Sequence, residues 1–160
     1  MPSSDDKKAT IVPISNEAEL LQALAIREVV FIEEQHVPAG IDRDAEDARA
    51  FHILAFQGGH AIGTGRLVML SHAPHGETGQ WAQVGRMAVL QAHRKGGIGS
   101  KILAVLEDQA RRNNVVGIRL HAQLSSIDFY KKHGYQPVGA AFQEGGMPHL
   151  EMHKKLGPKK

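Results

Sequence analysis

The chain has 160 residues, of which 42% are hydrophobic, and it carries a formal net charge of +2. This length suits a single domain over residues 1–160, with disordered tails expected at 1–8 and 157–160, and the apolar fraction excludes a largely disordered chain. The absence of cysteine excludes disulfides, thiolate zinc sites and a cysteine nucleophile. The polar first residues and the lack of an apolar run of roughly 18 residues predict a cytoplasmic protein with no membrane partner.

The periodicity of apolar residues predicts an α/β fold, in which a mixed central β-sheet is flanked by helices. The element order is β-α-β-β-β-α-β-α-β-β. Ser15 or Asn16 is expected to cap the first helix, and Gly134 is a plausible end of the last one. Strands are predicted at 9–14, 51–56, 60–70, 81–89, 115–122, 135–142 and 147–153, and helices at 16–35, 97–113 and 125–133.

Charge is distributed unevenly along these elements. Residues 1–80 hold 6 Lys/Arg and 12 Asp/Glu, whereas residues 81–160 hold 13 and 5. The positive second half indicates an anionic ligand, a nucleic-acid surface, or only solvated helix faces and a basic tail. Nucleic-acid surfaces place aromatics among basic residues, and aromatic content here is 5%, so no nucleic-acid partner is predicted. Glu33, Glu34 and the acidic loop (residues 42–47) could attract a cationic amine, but a solvated turn is the favoured interpretation of the loop.

A glycine-rich segment, residues 94–100 with sequence RKGGIGS, follows a strand and opens a helix. Glycines let bare N–H groups approach a ligand, and a helix N-terminus favours an anion, so the segment predicts a phosphate site. The spacing of Lys101 does not fit a Walker loop, and Ile102 stands where a dinucleotide fingerprint has its third glycine. What remains is the pattern Arg-x-x-Gly-x-Gly, formed by Arg94, Gly97 and Gly99.

This pattern resembles the pyrophosphate loop of the GNAT family of N-acetyltransferases. Downstream, Tyr130 with Gly134 and Tyr135 is similar to the Tyr-x-x-x-Gly-Phe/Tyr element of the same family. The resemblance extends over about residues 9–156 and is strongest to the YjcF/ElaA-like branch. The segments that match this branch are residues 26–35 (IREVVFIEEQ), 51–52 (FH) and 146–152 (GMPHLEM).

The resemblance implies a GNAT fold that uses acetyl-CoA as cosubstrate and no metal. In the family, the strand before the glycine loop separates from its neighbour and holds the pantetheine arm with free backbone groups. The contacts implied for acetyl-CoA are Met87, Ala88, Val89, Arg94, Lys95, Gly96, Gly97, Ile98, Gly99, Ser100 and Phe129.

Two side chains are candidates for acid–base catalysis. A thiolate leaving a thioester requires a proton, which the phenol of Tyr130 can supply; an ordinary packing role for this ring is the alternative. His149 is implied as the base by the Pro-His of glyphosate-acetylating relatives, and a hydrogen-bonded strand histidine is the alternative. His149 and His153 share one face of a strand, but no third metal ligand is evident in the sequence.

The expected reaction is acetyl transfer to a primary or secondary amine of a small molecule or peptide, by direct attack and without an acyl-enzyme. Arg27 and Arg86 are candidate clamps for an acidic substrate through bidentate pairs. Gln123 stands where the glyphosate-acetylating relatives have a third arginine, so glyphosate is not the expected substrate. A CoA-binding sensor without turnover is the alternative function, and the protein is expected to be a monomer or homodimer.

Overall fold

The computed structural model describes residues 8–38 and 40–157, so most of the two predicted tails lies outside the described residues. Its centre is one seven-stranded mixed sheet with the order β1-β2-β3-β4-β5-β7-β6, and the predicted element order is confirmed. No helix in the described part of the chain is long and apolar enough to cross a membrane. The strands are β1 Thr10–Pro13, β2 Phe51–Gln57, β3 His60–Met69, β4 Trp81–Val89, β5 Gly117–Gln123, β6 Gln136–Glu144 and β7 Met147–Lys155, and the α-helices are α1 Glu17–Arg27, α2 Ile98–Arg112 and α3 Ile127–Lys132.

Helix α1 begins at the predicted cap. The Asn16 side chain accepts a hydrogen bond from the backbone N–H of Glu19 at 2.8 Å, and the Glu19 carboxylate accepts one from the N–H of Ser15. The helix was predicted to run on to residue 34 or 35, but from residue 28 it continues as a π-helix, Glu28–Glu34. The N–H of Gln35 donates to the carbonyl of Val30, five residues back. This wider turn directs Glu34 toward the glycine loop.

Helix α2 packs closely across β3. An added Cβ on Gly65 would lie 2.8 Å from Ile102 and 3.0 Å from Leu106, so this contact requires glycine. Ile102 and Leu106 are fully buried together with Leu103. The close packing fixes the N-terminus of α2, which carries the glycine loop, beside the end of β4.

Strands β4 and β5 are paired over only part of their length. They pair in parallel from Trp81 with Gly117 to Gln83 with Arg119. An irregularity in β4 accompanies the separation, because the pairing with β3 shifts register around Arg86, whose φ is +50°. Residues 84–89 of β4 and 120–123 of β5 therefore border an opening, here called the β4–β5 gap, as the family resemblance implied.

The β6–β7 hairpin closes the other side of this gap. Strand β7 lies between β5 and β6, and its His149 pairs with Gln123 at the end of β5. The hairpin turn consists of Gly145 and Gly146, with φ of +59° and +81°. This turn brings Glu144 next to His149 at the mouth of the gap.

The acidic loop is not the solvated turn that its composition suggested. Asp42 is only 3% exposed and accepts from the buried Arg27 guanidinium at 3.1 Å. Asp47 accepts from Arg27 at 2.7 Å and from Arg66 at 2.8 Å. Burial acts to raise the pKa of Asp47, but the hydrogen bond from Arg27 and further donors outweigh it and hold that pKa well below its usual range. The loop is thereby anchored to α1 and β3.

Candidate functional site

A cavity of about 650 Å³ occupies the β4–β5 gap. Its walls are the free side of β4, the start of α2, one face of α3 and the β6–β7 hairpin. Among the residues predicted for the site, it is lined by Arg86, Met87, Ala88, Val89, Arg94, Lys95, Gly97, Ile98, Gly99, Ser100, Gln123, Phe129, Tyr130 and His149. The predicted Gly96 and Arg27 are not part of its walls.

Within the glycine loop, Gly97 caps α2 in the left-handed conformation with φ +78°. A Cβ at this position would meet nothing within 4 Å, so the backbone is bare toward the cavity. The first N–H groups of a helix have no partner within the helix and carry the positive end of its dipole. At Gly99 an added Cβ would lie 3.4 Å from the Phe129 ring, in ordinary contact, so this ring packs directly against the start of α2. Such a cradle fits a pyrophosphate.

Arg94 is already paired within the protein. Its two terminal nitrogens donate to the Glu34 carboxylate at 2.7 and 2.8 Å, and its Nε donates to the carbonyl of Val89 at 2.8 Å. The hydrogen bond from Arg94 lowers the pKa of Glu34, so this carboxylate is ionised at neutral pH. The pair joins the π-helix to the glycine loop.

Tyr130 projects from α3 to the sulfur of Met87 on β4. Its hydroxyl donates to the Met87 Sδ at 3.7 Å, and its ring makes an edge contact with Phe129 at 5.1 Å between centroids. Burial raises the pKa of Tyr130 to about 12. The phenol is therefore protonated throughout the physiological range and directs its O–H toward a sulfur acceptor across the gap.

His149 is held in one tautomer. Its Nδ1 lies 2.8 Å from the carbonyl oxygen of Met147, and because a carbonyl only accepts, Nδ1 carries the proton of the neutral ring. The unprotonated Nε2 lies 4.0 Å from Oε2 of Glu144. The ring stacks on Phe142 with centroids 6.0 Å apart and is mostly buried. A neutral imidazole held in this way can accept a proton at Nε2.

Glu144 and His121 were not predicted, although both line the cavity. Nδ1 of His121 lies 3.0 Å from Oε1 of Glu144. This hydrogen bond lowers the pKa of the Glu144 carboxyl and outweighs burial, which acts to raise it. The other carboxylate oxygen faces His149. No motif marks this pair in the sequence, since His121 on β5 and Glu144 on β6 come together only because β7 pairs with both strands.

The residues predicted to hold the substrate take different positions. Arg86 lines the cavity, but its Nε donates to the carbonyl of Asp42 and its Nη2 to Asp44 at 3.0 Å. Gln123 also lines the cavity and donates to the side chain of Gln35 at 2.8 Å. Arg27 is 1% exposed, and all its nitrogens contact the acidic loop, so it offers no group to the cavity.

Comparison with known proteins places these features in a family context. The sequence model described as "Acetyltransferase (GNAT) domain" matches residues 14–156. The Bacillus subtilis protein YyaT is 36% identical over 146 residues, which cover 89% of this chain and 93% of the relative. YjcF of the same organism, which is named an N-acetyltransferase, is 36% identical over 140 residues, which cover 87% of this chain and 94% of the relative.

Two solved structures share the fold over most of their length. One is a protein from Lactobacillus plantarum described as an N-acetyltransferase, with 27% identity and a TM-score of 0.79; the match covers 92% of this chain and 98% of that one. The other is Escherichia coli ElaA, with 23% identity, a TM-score of 0.76 and the same coverage of both chains.

Proposed function

The chain belongs to the GNAT family of acetyltransferases, and on that premise we propose that it moves an acetyl group from acetyl-CoA to the amine of a small molecule or peptide. The expected family and enzyme class are confirmed, and the relatives support acyl transfer from an acyl-CoA. One observation supports the proposal that acetyl-CoA and an amine react in this protein. The cavity in the β4–β5 gap is bordered by a free strand edge, a glycine cradle, a phenol and an imidazole. Bound acetyl-CoA supplies the thioester carbonyl that the amine attacks and the thiolate that leaves.

Three parts of the chain hold the cosubstrate in this proposal. The backbone of residues 94–100 binds the pyrophosphate at the start of α2, because bare N–H groups and the helix dipole both favour an anion there. Residues 87–89 border the side of β4 that has no partner strand and offer backbone groups there to the amides of the pantetheine arm. The Val89 carbonyl accepts from Nε of Arg94, so it becomes available only if that hydrogen bond is exchanged. Phe129 packs beside the arm, where it already lies close to Gly99.

His149 and Glu144 receive the acceptor amine. A protonated primary or secondary amine has at least two N–H bonds, and its nitrogen fits between two acceptors 4.0 Å apart at about 2.9 Å from each. Nε2 of His149 takes one proton and frees the nitrogen lone pair for attack. The Glu144 carboxylate accepts the other N–H and stabilises the imidazolium that forms. This arrangement favours a cationic amine as acceptor.

Tyr130 acts at the other side of the reaction. When the carbon–sulfur bond breaks, its O–H transfers a proton to the departing sulfur, and in the structure the same hydroxyl donates to the Sδ of Met87. Because its pKa is about 12, the phenol keeps its proton until negative charge develops on the sulfur beside it. After attack the nitrogen has a second proton to lose as the amide forms, and this proton returns to the Tyr130 oxygen directly or through water. His149 releases the proton that it took to solvent, so one proton is released per acetyl group transferred.

The test is an amine screen with acetyl-CoA that follows thiol release spectrophotometrically. Cationic primary and secondary amines should be acetylated by the wild type. Glu144→Gln should raise KM for such an amine about tenfold or more, since it removes the charge facing the ammonium, while the Kd for acetyl-CoA stays unchanged in calorimetry. Absence of thiol release above the background of acetyl-CoA hydrolysis with every class of amine would contradict the proposal.

A further inference from the structure

A second cluster of polar side chains lies away from the cavity. It consists of Glu151 and His153 on β7 and His75 in the loop that follows β3. Oε2 of Glu151 lies 2.8 Å from Nε2 of His75 and 2.6 Å from Nε2 of His153. The three donor atoms all lie within 4.8 Å of one another. Within residues 8–38 and 40–157, no other group of three His, Cys, Asp or Glu side chains converges in this way.

The fold anchors two of these side chains firmly and the third loosely. Glu151 and His153 are two residues apart on one face of β7, whereas the intervening Met152 is buried in the core on the other face. Their side chains are 16% and 12% exposed. His75 is 57% exposed, and its backbone has a φ of +49°, an uncommon conformation for any residue but glycine. His75 therefore has a backbone conformation that is uncommon for a residue other than glycine, at the position where its imidazole reaches Glu151 on β7.

Two imidazole nitrogens and one carboxylate oxygen form a donor set typical of zinc and related divalent transition metals. Burial acts to raise the pKa of Glu151, but the contacts from His153 and His75 outweigh it, so the carboxylate is ionised. Arg119 also lies near enough to affect Glu151, and its guanidinium donates to Gln83.

We propose that His75, Glu151 and His153 bind one divalent transition-metal ion, preferably Zn²⁺, with a remaining coordination position open to water on the His75 side. Donors bonded at roughly 2.0–2.2 Å in a tetrahedral site lie about 3.3–3.5 Å apart. The contact of Glu151 with His75 must therefore lengthen by about 0.5–0.7 Å and its contact with His153 by about 0.7–0.9 Å. The exposed His75 ring and a rotation of the Glu151 carboxylate can provide these changes. Both histidines then bind through Nε2 and carry their remaining proton on Nδ1.

Without a metal, the same distances describe a carboxylate that accepts one N–H from each imidazole. The two interpretations differ in what an added ion does. Trp81 is the only tryptophan in the chain, and its ring lies 5.1 Å from that of His153, so its fluorescence reports on an ion at the cluster. None of the three ligands lines the catalytic cavity, so this proposal does not depend on the proposed function.

The experiment uses the untagged full chain after dialysis against a chelator. Zn²⁺ is titrated by calorimetry, and Ni²⁺, a quencher, by Trp81 fluorescence. The wild type should bind one Zn²⁺ per chain and show saturable quenching by Ni²⁺. His75→Ala and the nearly isosteric Glu151→Gln should each weaken both effects at least tenfold. His72→Ala is the matched control, since this exposed histidine lies in the same loop outside the cluster, and it should bind as the wild type does.

Circular dichroism is used to check that each variant is folded. If His75→Ala disturbs the loop, Glu151→Gln still tests the site, because it keeps the shape of the side chain. Absence of saturable binding to the wild type would overturn the proposal and leave a hydrogen-bonded trio. Equal binding by the wild type, His75→Ala and Glu151→Gln would also overturn it, because the ion would then be bound by other histidines.

Discussion

Replacing Tyr130 by phenylalanine separates the catalytic role of this residue from its packing role. The ring stays, and with it the edge contacts to Phe129 and Tyr135. Only the hydroxyl is lost, and the partner recorded for it is the Met87 sulfur at 3.7 Å, a weak acceptor. The free energy of unfolding should therefore fall by less than about 1 kcal/mol. Turnover should fall by about 10²-fold or more, the range for a positioned acid, which corresponds to about 2.7 kcal/mol in activation free energy.

The other tyrosine of the chain, Tyr135, is a matched control, because its hydroxyl donates to a charged carboxylate and not to a weak sulfur acceptor. The hydroxyl of Tyr135 donates to the Glu107 carboxylate at 2.7 Å, and the residue is fully buried outside the cavity. Tyr135→Phe should lower the free energy of unfolding by about 1.5–3 kcal/mol, the value of a hydrogen bond to a charged group, and leave turnover unchanged at a temperature where the variant is folded.

The assay is thiol release at saturating acetyl-CoA, together with thermal unfolding and the Kd for acetyl-CoA of each variant. The phenol acts in its protonated form, which is lost as pH rises through its pKa of about 12. Wild-type turnover should therefore not decline through Tyr130 below about pH 11. Wild-type turnover in Tyr130→Phe would refute the reasoning, and so would a drop of turnover in Tyr135→Phe as large as that in Tyr130→Phe.

Three further predictions address the cosubstrate loop, the base and the acidic loop. Gly97→Val should weaken acetyl-CoA binding at least tenfold in calorimetry. Gly59→Val is the control, because this turn glycine has nearly the same φ of +79° and its variant should be similarly strained but bind acetyl-CoA normally. Equal affinities of the two variants would contradict binding of the pyrophosphate at the glycine loop. His149→Ala should lower turnover at neutral pH by about 10²-fold, the range for a positioned base, and should regain activity at high pH, where free amine is abundant; wild-type turnover at neutral pH would make His149 structural. Because the folded-state pKa of Asp47 is depressed, its stabilising effect is present above about pH 4 and is lost as pH falls below it; the urea midpoint should drop between pH 5 and 3, and Asp47→Asn should reduce that drop.

Much of the fold was predictable because its signals are local. Alternating and helical spacing gave the element order, and Asn16 marked the start of α1 through its own side chain. The π-helix was not predictable, since an apolar pattern of helical spacing does not distinguish a hydrogen bond to the fourth residue back from one to the fifth. Its geometry depends on tertiary contacts, among them the pair that Glu34 makes with Arg94, 60 residues further along.

The candidate site was predictable where a motif is continuous in sequence and not where it is assembled by pairing. The glycine loop and Tyr130 are carried by short segments, and both line the cavity. The acidic loop was misinterpreted because its partners Arg27, Arg66 and Arg86 come from three different elements. A count of charges along the chain treats these carboxylates as solvated, whereas the folded chain pairs them with guanidinium groups and buries Asp42.

The partial pairing of β4 and β5 has a consequence for association between chains. A strand edge with unpaired N–H and C=O groups is a template for adding another strand, and proteins normally protect such edges. Here the edge lies inside the sheet and is enclosed by α3, with Phe129 and Tyr130 forming part of the same walls. A slender ligand can lie along residues 84–89 within this cavity, but a second polypeptide cannot pair there unless α3 moves away. The fold thus places a hydrogen-bonding strand edge inside a walled cavity, where a strand of another chain has little room to pair.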